Sequence, residues 1–213
     1  MAVNPVEAGG SESDSAQRHI HPKFPEILDM SIQLGHQIAQ YCQDTGERID
    51  RIAVLPRGAL YLAMVFSRMF DIEAPELVNM SMTSYKKGKT SSDGKFRYGQ
   101  MPTAEEVEGL VWLLPDDVID SGWTEYNANR YLLSKGAKRV IMVSLYDKVD
   151  MHEVDIKPDF CVIWIRGDVW IHFPWEDDIE NLLAEPEVFS GNYYEQKLGS
   201  IAKGAVLLDP DNH

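Results

Sequence analysis

Apolar residues recur along this chain with two different periods, and the alternation of these periods predicts the order of helices and strands. Helical spacing begins at Glu26 and continues to Gly46, a residue type that commonly ends helices. A second helix is expected to end near Phe70, and a third to span Thr124–Lys135. Short apolar runs of the kind that form buried strands occur at Arg51–Leu55, Leu77–Met82, Val111–Leu114, Arg139–Leu145 and Phe160–Ile165.

Strands that alternate with helices predict an α/β fold with a largely parallel central sheet flanked by helices. Sheets of this kind bind ligands at the carboxyl ends of their strands, so functional residues are expected in the loops there. We expect the domain to span residues 23–180. Residues 1–22, rich in Ser, Gly and acids, predict a flexible leader, and residues 181–213 are interpreted as a C-terminal extension that adds a strand or an oligomer contact.

Composition narrows the classes of function. A chain of 213 residues, 44% of them hydrophobic, can form one domain with a substantial core. Its net charge of −14 argues against a general nucleic-acid or anionic-membrane surface, because both require positive potential. The same charge is unfavourable for a ligand with several phosphates, so local cations and Mg²⁺ matter more.

Cysteine usage and hydropathy indicate the compartment. Cys42 and Cys161 are far apart and form no CxxC motif, which favours buried free thiols and a reducing cytoplasm. No apolar span is long enough to cross a bilayer, and no signal-peptide pattern begins the chain. We therefore expect a cytoplasmic protein.

The candidate chemistry is concentrated in the segment Val111–Thr124. Its apolar run ends at Asp116 and Asp117, and two apolar residues later come Asp120 and a small hydroxyl-rich loop before a helix. Free amides and the dipole at a helix N-terminus favour phosphate, whereas carboxylates suit sugar hydroxyls and a hard cation such as Mg²⁺. The segment could therefore hold a phosphorylated sugar at both ends. The alternative is a strand followed by an acidic, Asp-capped turn.

This order of residues resembles the phosphoribosyl-diphosphate binding motif of the type I phosphoribosyltransferases. In that family an apolar strand leads into two acids, two apolar residues, an Asp, and a Thr/Ser-Gly-x-Thr loop. Pro115 departs from the family pattern, which usually has an aliphatic residue before the acids, and Trp123 occupies a place where the family often has Gly.

The resemblance implies a role for each matching residue. Asp116 and Asp117 would hold the ribose hydroxyls and orient the Mg²⁺-bound donor, and Asp120 would be the catalytic residue that manages the proton at the purine N7. The 5′-phosphate would be bound by the loop residues Ser121, Gly122, Trp123 and Thr124.

A second loop lies where the strand Arg51–Leu55 should turn into a helix. Arg57 supplies a fork of donors, and Gly58 permits a close approach that a side chain would block. The segment resembles the family's diphosphate-binding loop, which often runs Arg-Gly-Gly and can carry a non-proline cis peptide; Ala59 replaces the second Gly. An ordinary strand-to-helix turn with a surface Arg is the alternative.

Thr83-Ser84-Tyr85 and the polar stretch Lys86–Gln100 match a mobile loop that family members close over the reacting centre. A lid is chemically reasonable because water must be kept from an electron-poor ribosyl centre. A solvated basic loop is the alternative. The cations of this stretch are Lys86, Lys87, Lys89, Lys95 and Arg97.

Residues near the end of the domain indicate the acceptor. Lys148 follows a predicted strand, and the segment from Trp170 to Glu176 resembles the small purine-binding hood of xanthine-guanine and hypoxanthine phosphoribosyltransferases. By that resemblance Lys148 would donate to a purine O6, Trp170 would stack on the base, the backbone at Ile171 would read its edge, and Glu176 would assist a metal. The alternative is that Trp170 and Trp175 are core or interface aromatics.

The sequence therefore predicts a Mg²⁺-dependent phosphoribosyltransferase that transfers the phosphoribosyl group of phosphoribosyl diphosphate to hypoxanthine, guanine or xanthine. The family commonly forms dimers or tetramers, so a homo-oligomer is expected. Two alternatives stay open: the same donor used with a pyrimidine or another base, and a regulator that keeps the fold and binds the donor without catalysis. A phosphate-handling enzyme with an Asp nucleophile fits less well, because it gives Lys148 and Trp170 no role.

Overall fold

A computed structural model describes residues 18–84 and 96–176 of the chain. Within these residues the strands are β1 Arg18–Ile20, β2 Arg51–Val54, β3 Leu77–Asn79, β4 Met82–Ser84, β5 Phe96–Tyr98, β6 Val111–Ile119, β7 Arg139–Lys148, β8 Phe160–Ile165 and β9 Val169–Ile171. The helices are α1 Phe24–Thr45, α2 Ala59–Met69, α3 Ala104–Val107 and α4 Trp123–Ser134, with a 3₁₀ turn at Ala74–Glu76.

The chain divides into two compact units. The larger contains the described residues 18–19, 24–84 and 96–170, and the smaller contains residues 20–23 and 171–176. None of the helices in the described part of the chain is long and apolar enough to cross a membrane.

Five strands of the larger unit form the sheet that positions the candidate site. Their order is β3-β2-β6-β7-β8, and each neighbouring pair is parallel. The α/β class predicted from the sequence is thereby confirmed. The chain leaves β3 at one edge of the sheet and returns on the other side of β2 as β6, which places the topological switch point between β2 and β6. Ligands of open α/β sheets bind at this point.

Helices cover both faces of the sheet. Three successive residues of β6, Trp112, Leu113 and Leu114, are fully buried, so neither face of the strand contacts solvent there. Helix α2 packs on β2 and β6, α4 packs on β6 and β7, and α1 packs on β7 and β8. The result is a buried central sheet whose carboxyl ends carry the loops.

Several predicted boundaries are wrong in informative ways. Residues 18–20, at the end of the predicted leader, form β1, which pairs with β9, and residues 1–17 of that leader lie outside the described residues. The single strand predicted at Leu77–Met82 is two strands: β3 joins the main sheet, whereas β4 pairs antiparallel with β5. Strand β6 continues past its predicted end at Leu114 because β7 pairs with it as far as Asp147. In each case the deciding partner is remote in sequence.

Candidate active site

The carboxyl end of β2 brings the predicted diphosphate loop against the acids of β6. The peptide between Pro56 and Arg57 is cis, and Arg57 is exposed. A Cβ atom added to Gly58 would lie 2.5 Å from Asp116 Oδ1 and 2.7 Å from Asp117 Oδ1. The backbone at Gly58 therefore contacts two carboxylates that are remote in sequence, and glycine is required for this approach.

The two acids lie inside β6, and burial dominates their chemistry. Asp117 is 7% exposed, and its backbone N–H donates to Asp116 Oδ1 at 2.9 Å. The pKa of Asp116 is raised well above its usual value, first because burial disfavours the charged form and then because the Glu125 carboxylate is adjacent.

Glu125 is a site residue that the sequence did not reveal. It lies in the first turn of α4, is 4% exposed, and hydrogen-bonds with Asp116. Burial raises the pKa of Glu125, an effect that the hydrogen bond from Asp116 opposes. Acids are ordinary in the first turn of a helix, where they complement the helix dipole, so the residue type carried no signal of a buried carboxyl pair.

The predicted phosphate loop occupies the N-terminus of α4. Gly122 has φ of +78° and is the residue before the helix, which starts at Trp123. No side chain among the described residues caps this end, so the Asp-capped turn considered from the sequence is wrong, and the first amides of α4 suit an anion. Ser121 and Thr124 are half-buried beside them.

A second cluster lies in the larger unit and consists of Asp120, Lys148 and Trp170. Lys148 Nζ lies 3.0 Å from Asp120 Oδ2 and 6.0 Å from the centre of the Trp170 ring. The Lys148 side chain is 6% exposed and that of Asp120 is 44% exposed, so the carboxylate faces solvent above a nearly buried cation. Trp170 is 44% exposed and is not a core residue.

The remaining predicted residues are placed as follows. Ile171 and Glu176 belong to the smaller unit, where Ile171 is buried and Glu176 is exposed, and their roles stay predictions. Thr83 and Ser84 lie on β4, and Arg97 lies on β5. Residues 85–95, with the lysines of the predicted lid, lie outside the described residues, as does the extension at residues 181–213.

The donor set at the end of β6 fits a cation that arrives with a phosphorylated ligand. Among the described residues, no group of three or more His, Cys, Asp or Glu side chains could hold a metal ion. Asp116 and Asp117 provide a pair of carboxylates. Mg²⁺ commonly binds through one or two carboxylates together with substrate phosphates and waters, so this pair suits a shared rather than a fully protein-enclosed ion.

Comparison with known proteins gives the family. The family model for the phosphoribosyl transferase domain matches residues 25–179 of this chain. The chain belongs to the phosphoribosyl transferase family. The resemblance drawn from the residues at the ends of β2 and β6 is thereby confirmed, and the protein is a phosphoribosyltransferase.

Curated relatives of this phosphoribosyltransferase are purine enzymes by name. The hypoxanthine phosphoribosyltransferase of Salmonella typhimurium is 27% identical over 137 residues, which is 63% of this chain and 74% of the relative. The hypoxanthine-guanine phosphoribosyltransferase of Lactococcus lactis is 27% identical over 183 residues, which is 83% of this chain and 96% of the relative.

Solved structures share the fold of this chain. The Helicobacter pylori xanthine-guanine-hypoxanthine phosphoribosyltransferase has a TM-score of 0.62 at 23% identity, covering 79% of this chain and 100% of its own. A Neisseria gonorrhoeae protein with bound ppGpp has a TM-score of 0.61 at 18% identity, covering 86% of this chain and 99% of its own. At these identities the likeness shows the fold alone.

The phosphoribosyltransferase accommodates its three departures from the family pattern. Pro115 is buried within β6, where Val143 of β7 is its partner in the register. Ala59 is fully buried in the first turn of α2. The indole Nε1 of Trp123 donates to Glu153 Oε2 at 2.9 Å. Pro115 and Ala59 therefore serve packing, and the Trp123 side chain is held by a partner within the protein.

Proposed function

We propose that this phosphoribosyltransferase transfers the 5-phosphoribosyl group from phosphoribosyl diphosphate to hypoxanthine, guanine or xanthine, giving a nucleoside monophosphate and diphosphate. The observation that carries the proposal is the cluster of Asp120, Lys148 and Trp170, because a carboxylate, an ammonium group and a partly exposed indole converge there. The names of the curated relatives support the same class of base.

Base recognition follows from the pairing of a donor with an acceptor. Asp120 Oδ2 and Lys148 Nζ lie 3.0 Å apart, and a 6-oxopurine presents N7–H and O6 side by side on one edge. The carboxylate can accept from N7–H while the ammonium donates to O6. A 6-aminopurine would place its own donor against Lys148, so adenine is disfavoured. The Trp170 side chain, which is partly exposed, would offer an aromatic surface for stacking of the base.

The donor would bind at the switch point between β2 and β6. The backbone at Gly58 and the guanidinium of Arg57 would hold the diphosphate, and Asp116 and Asp117 would bind the ribose hydroxyls. The amides of Trp123 and Thr124, with the Ser121 hydroxyl and Gly122, would bind the 5′-phosphate at the start of α4. Mg²⁺ bound through the donor and the two carboxylates would neutralise charge on the diphosphate.

The reaction exchanges one bond for another at the anomeric carbon. The base nitrogen forms a bond to that carbon as the bond to the diphosphate oxygen breaks, through a transition state with oxocarbenium character. Loss of the N7 proton keeps the new nucleotide base neutral, and the Asp120 carboxylate accepts that proton. Asp120 suits this role because it lies between the phosphate loop and the carboxylate pair in sequence and contacts Lys148.

The test is nucleotide formation by the purified protein with phosphoribosyl diphosphate and Mg²⁺. The acceptors are hypoxanthine, guanine, xanthine, adenine, uracil and orotate, each assayed with and without a chelator. We expect product from the 6-oxopurines, little from adenine, and loss of product with the chelator. Product from a pyrimidine alone would contradict the assigned base. Calorimetric binding of the donor without product from any base would instead support a regulator.

A further inference from the structure

The segment between β7 and β8, residues 149–159, packs on the predicted phosphate loop through two hydrogen bonds. The backbone N–H of Glu153 donates to the Ser121 carbonyl at 2.9 Å. The Trp123 indole Nε1 donates to the Glu153 carboxylate at 2.9 Å. One residue of this segment therefore holds both the residue before Gly122 and the residue after it.

Aliphatic contact closes the gap between these two hydrogen bonds. A Cβ atom at Gly122 would lie 2.5 Å from Ile156 Cγ2 and 3.2 Å from Val154 Cγ2. Gly122 is therefore enclosed by the β7–β8 segment while its φ is +78°, a conformation that glycine adopts at little cost. Three consecutive residues of the phosphate loop contact the same segment.

The segment is anchored where it leaves β7. Asp147 is fully buried, and its Oδ1 lies 2.5 Å from His152 Nε2. The backbone N–H of Met151 donates to the Lys148 carbonyl at 2.9 Å. Because Glu153 follows His152 directly, its position is largely set before it bonds to Trp123, and little conformational entropy is lost when the bond forms.

We propose that Trp123 and Glu153 are positioning residues that hold the phosphate loop in the shape that binds the 5′-phosphate. The inference rests on the proposed function, which places that phosphate at the start of α4. Glu153 is an exposed acid beside a site for an anion, a position that is electrostatically unfavourable unless the carboxylate serves another purpose. Accepting from the Trp123 indole is that purpose, and it also accounts for a tryptophan where the family often has Gly.

The same contacts connect the two substrate subsites. Lys148 is the residue immediately before the β7–β8 segment and pairs with Asp120, which immediately precedes Ser121. Glu153 then bonds to Ser121 and Trp123. The phosphate loop and the base-reading lysine are thus held by one short stretch of chain.

Four single variants and one double variant test the positioning role. Trp123→Phe removes the indole donor but keeps an aromatic ring, and Glu153→Ala removes the acceptor. Glu153→Gln keeps an acceptor oxygen without the charge. Asp155→Ala is the matched control, because it removes an exposed carboxylate from the same segment. The double variant combines Trp123→Phe with Glu153→Ala.

The measurements are calorimetric affinity for ribose 5-phosphate, KM for phosphoribosyl diphosphate, and kcat. We expect Trp123→Phe and Glu153→Ala each to weaken ribose 5-phosphate binding and raise the donor KM about 3- to 10-fold, the range for loss of one hydrogen bond. The kcat at saturating donor should change less than about twofold, because the chemical step is untouched. The double variant should bind ribose 5-phosphate no more weakly than the more severely affected single variant, because both substitutions remove the same hydrogen bond.

The controls separate the possible failures. Glu153→Gln and Asp155→Ala should bind ribose 5-phosphate like the wild type. If Glu153→Ala binds as tightly as Asp155→Ala, or if Glu153→Gln is as weak as Glu153→Ala, the hydrogen bond has no positioning role. If the wild-type protein itself fails to bind ribose 5-phosphate, the phosphate assignment in the proposed function fails first.

Discussion

The donor half and the base half of the candidate site are built in different ways. The donor half lies at the switch point, where a loop after β2 and a loop after β6 each supply a contiguous motif. The base half takes Asp120 from the end of β6, Lys148 from the end of β7 and Trp170 from β9. One half is therefore specified by local sequence, and the other is assembled by the fold.

The two halves also differ in how their charge is balanced. In the base half, the Asp120 carboxylate is paired with the Lys148 ammonium group at 3.0 Å. In the donor half, burial and Glu125 both raise the pKa of Asp116, so a carboxyl pair is held where negative charge is unfavourable. The charges of the base half are therefore paired within the protein, whereas the carboxyl pair of the donor half suits a cation that arrives with the phosphorylated ligand.

Asp120→Asn should produce the largest loss, because Asp120 joins the two halves. The amide can still accept from Lys148 but cannot take the N7 proton, so we expect kcat to fall by about 10²- to 10⁴-fold, the usual contribution of a general base. Calorimetric affinity for phosphoribosyl diphosphate should change little. Asp150→Asn, which alters an exposed carboxylate just beyond Lys148, is the control. Equal losses of kcat and donor affinity would contradict the proton-handling role.

Lys148→Met isolates the base half. The Lys148 side chain is 6% exposed and Asp120 is 44% exposed, so methionine fits the space while the carboxylate stays solvated. Loss of a charge-assisted hydrogen bond to O6, worth about 1.5–3 kcal/mol, should raise the KM for hypoxanthine about 10- to 100-fold. The donor KM should stay within about twofold of the wild-type value.

The exposed Lys157 of the β7–β8 segment provides the control for that variant. Lys157→Met should leave both KM values unchanged. An increase in the donor KM as large as the increase in the hypoxanthine KM for Lys148→Met would show that the halves are not separable.

Local patterns were sufficient for the elements and residues that depend on neighbours in sequence. The helical period predicted α1 and α4, and the order of acids and small residues from Asp116 to Thr124 predicted the family. The switch point could be placed only from the order of β2 and β6 in the sheet. That order is a property of strand pairing, which is not recorded in any one segment.

What the sequence could not reveal depends on burial and distant partners. Glu125 and Glu153 are ordinary acids by position, and they differ because one is buried beside Asp116 and the other bonds to Trp123. Strands β1 and β9 are three residues each and pair across the length of the domain. Segments this short carry too few side chains for a periodic signal.

Gly58→Ala perturbs the donor half alone. The added methyl group would come within 3 Å of the Asp116 and Asp117 carboxylates, which must rotate away. Overpacking of this kind costs about 1–3 kcal/mol. We therefore expect the KM for the donor to rise about 10-fold. The KM for the base should not change.

Ala59→Gly is the matched control because it restores the second glycine of the family's loop. Ala59 is fully buried at the start of α2, so the change should lower the free energy of unfolding by about 1 kcal/mol through helix propensity. The donor KM should stay as in the wild type. A donor KM that falls for Ala59→Gly would show that Ala59 restricts the diphosphate loop.

The smallest expected effect concerns Asp147, whose contact with His152 anchors the β7–β8 segment. Burial raises the pKa of Asp147 above its usual value, and the adjacent His152 partly offsets this rise. Glu125 is a further acid nearby, and the Asp147 charge contributes to the raised pKa of Glu125. The folded state thus binds a proton at Asp147 more tightly than the unfolded state does. The free energy of unfolding should therefore fall as pH rises from about 4, the pKa of an unfolded aspartate, through the raised pKa.

Asp147→Asn removes that titration. The Tm of the variant minus the Tm of the wild type should therefore become more positive as the pH rises from 4 to 7. A change of 1 kcal/mol corresponds to about 2–4 °C for a chain of this size. Thermal unfolding at several pH values measures the effect, with the exposed Asp155→Asn as the control. A Tm difference that is the same at every pH would mean that Asp147 titrates alike in the folded and unfolded states. The Asp147–His152 contact would then anchor the β7–β8 segment without an electrostatic cost.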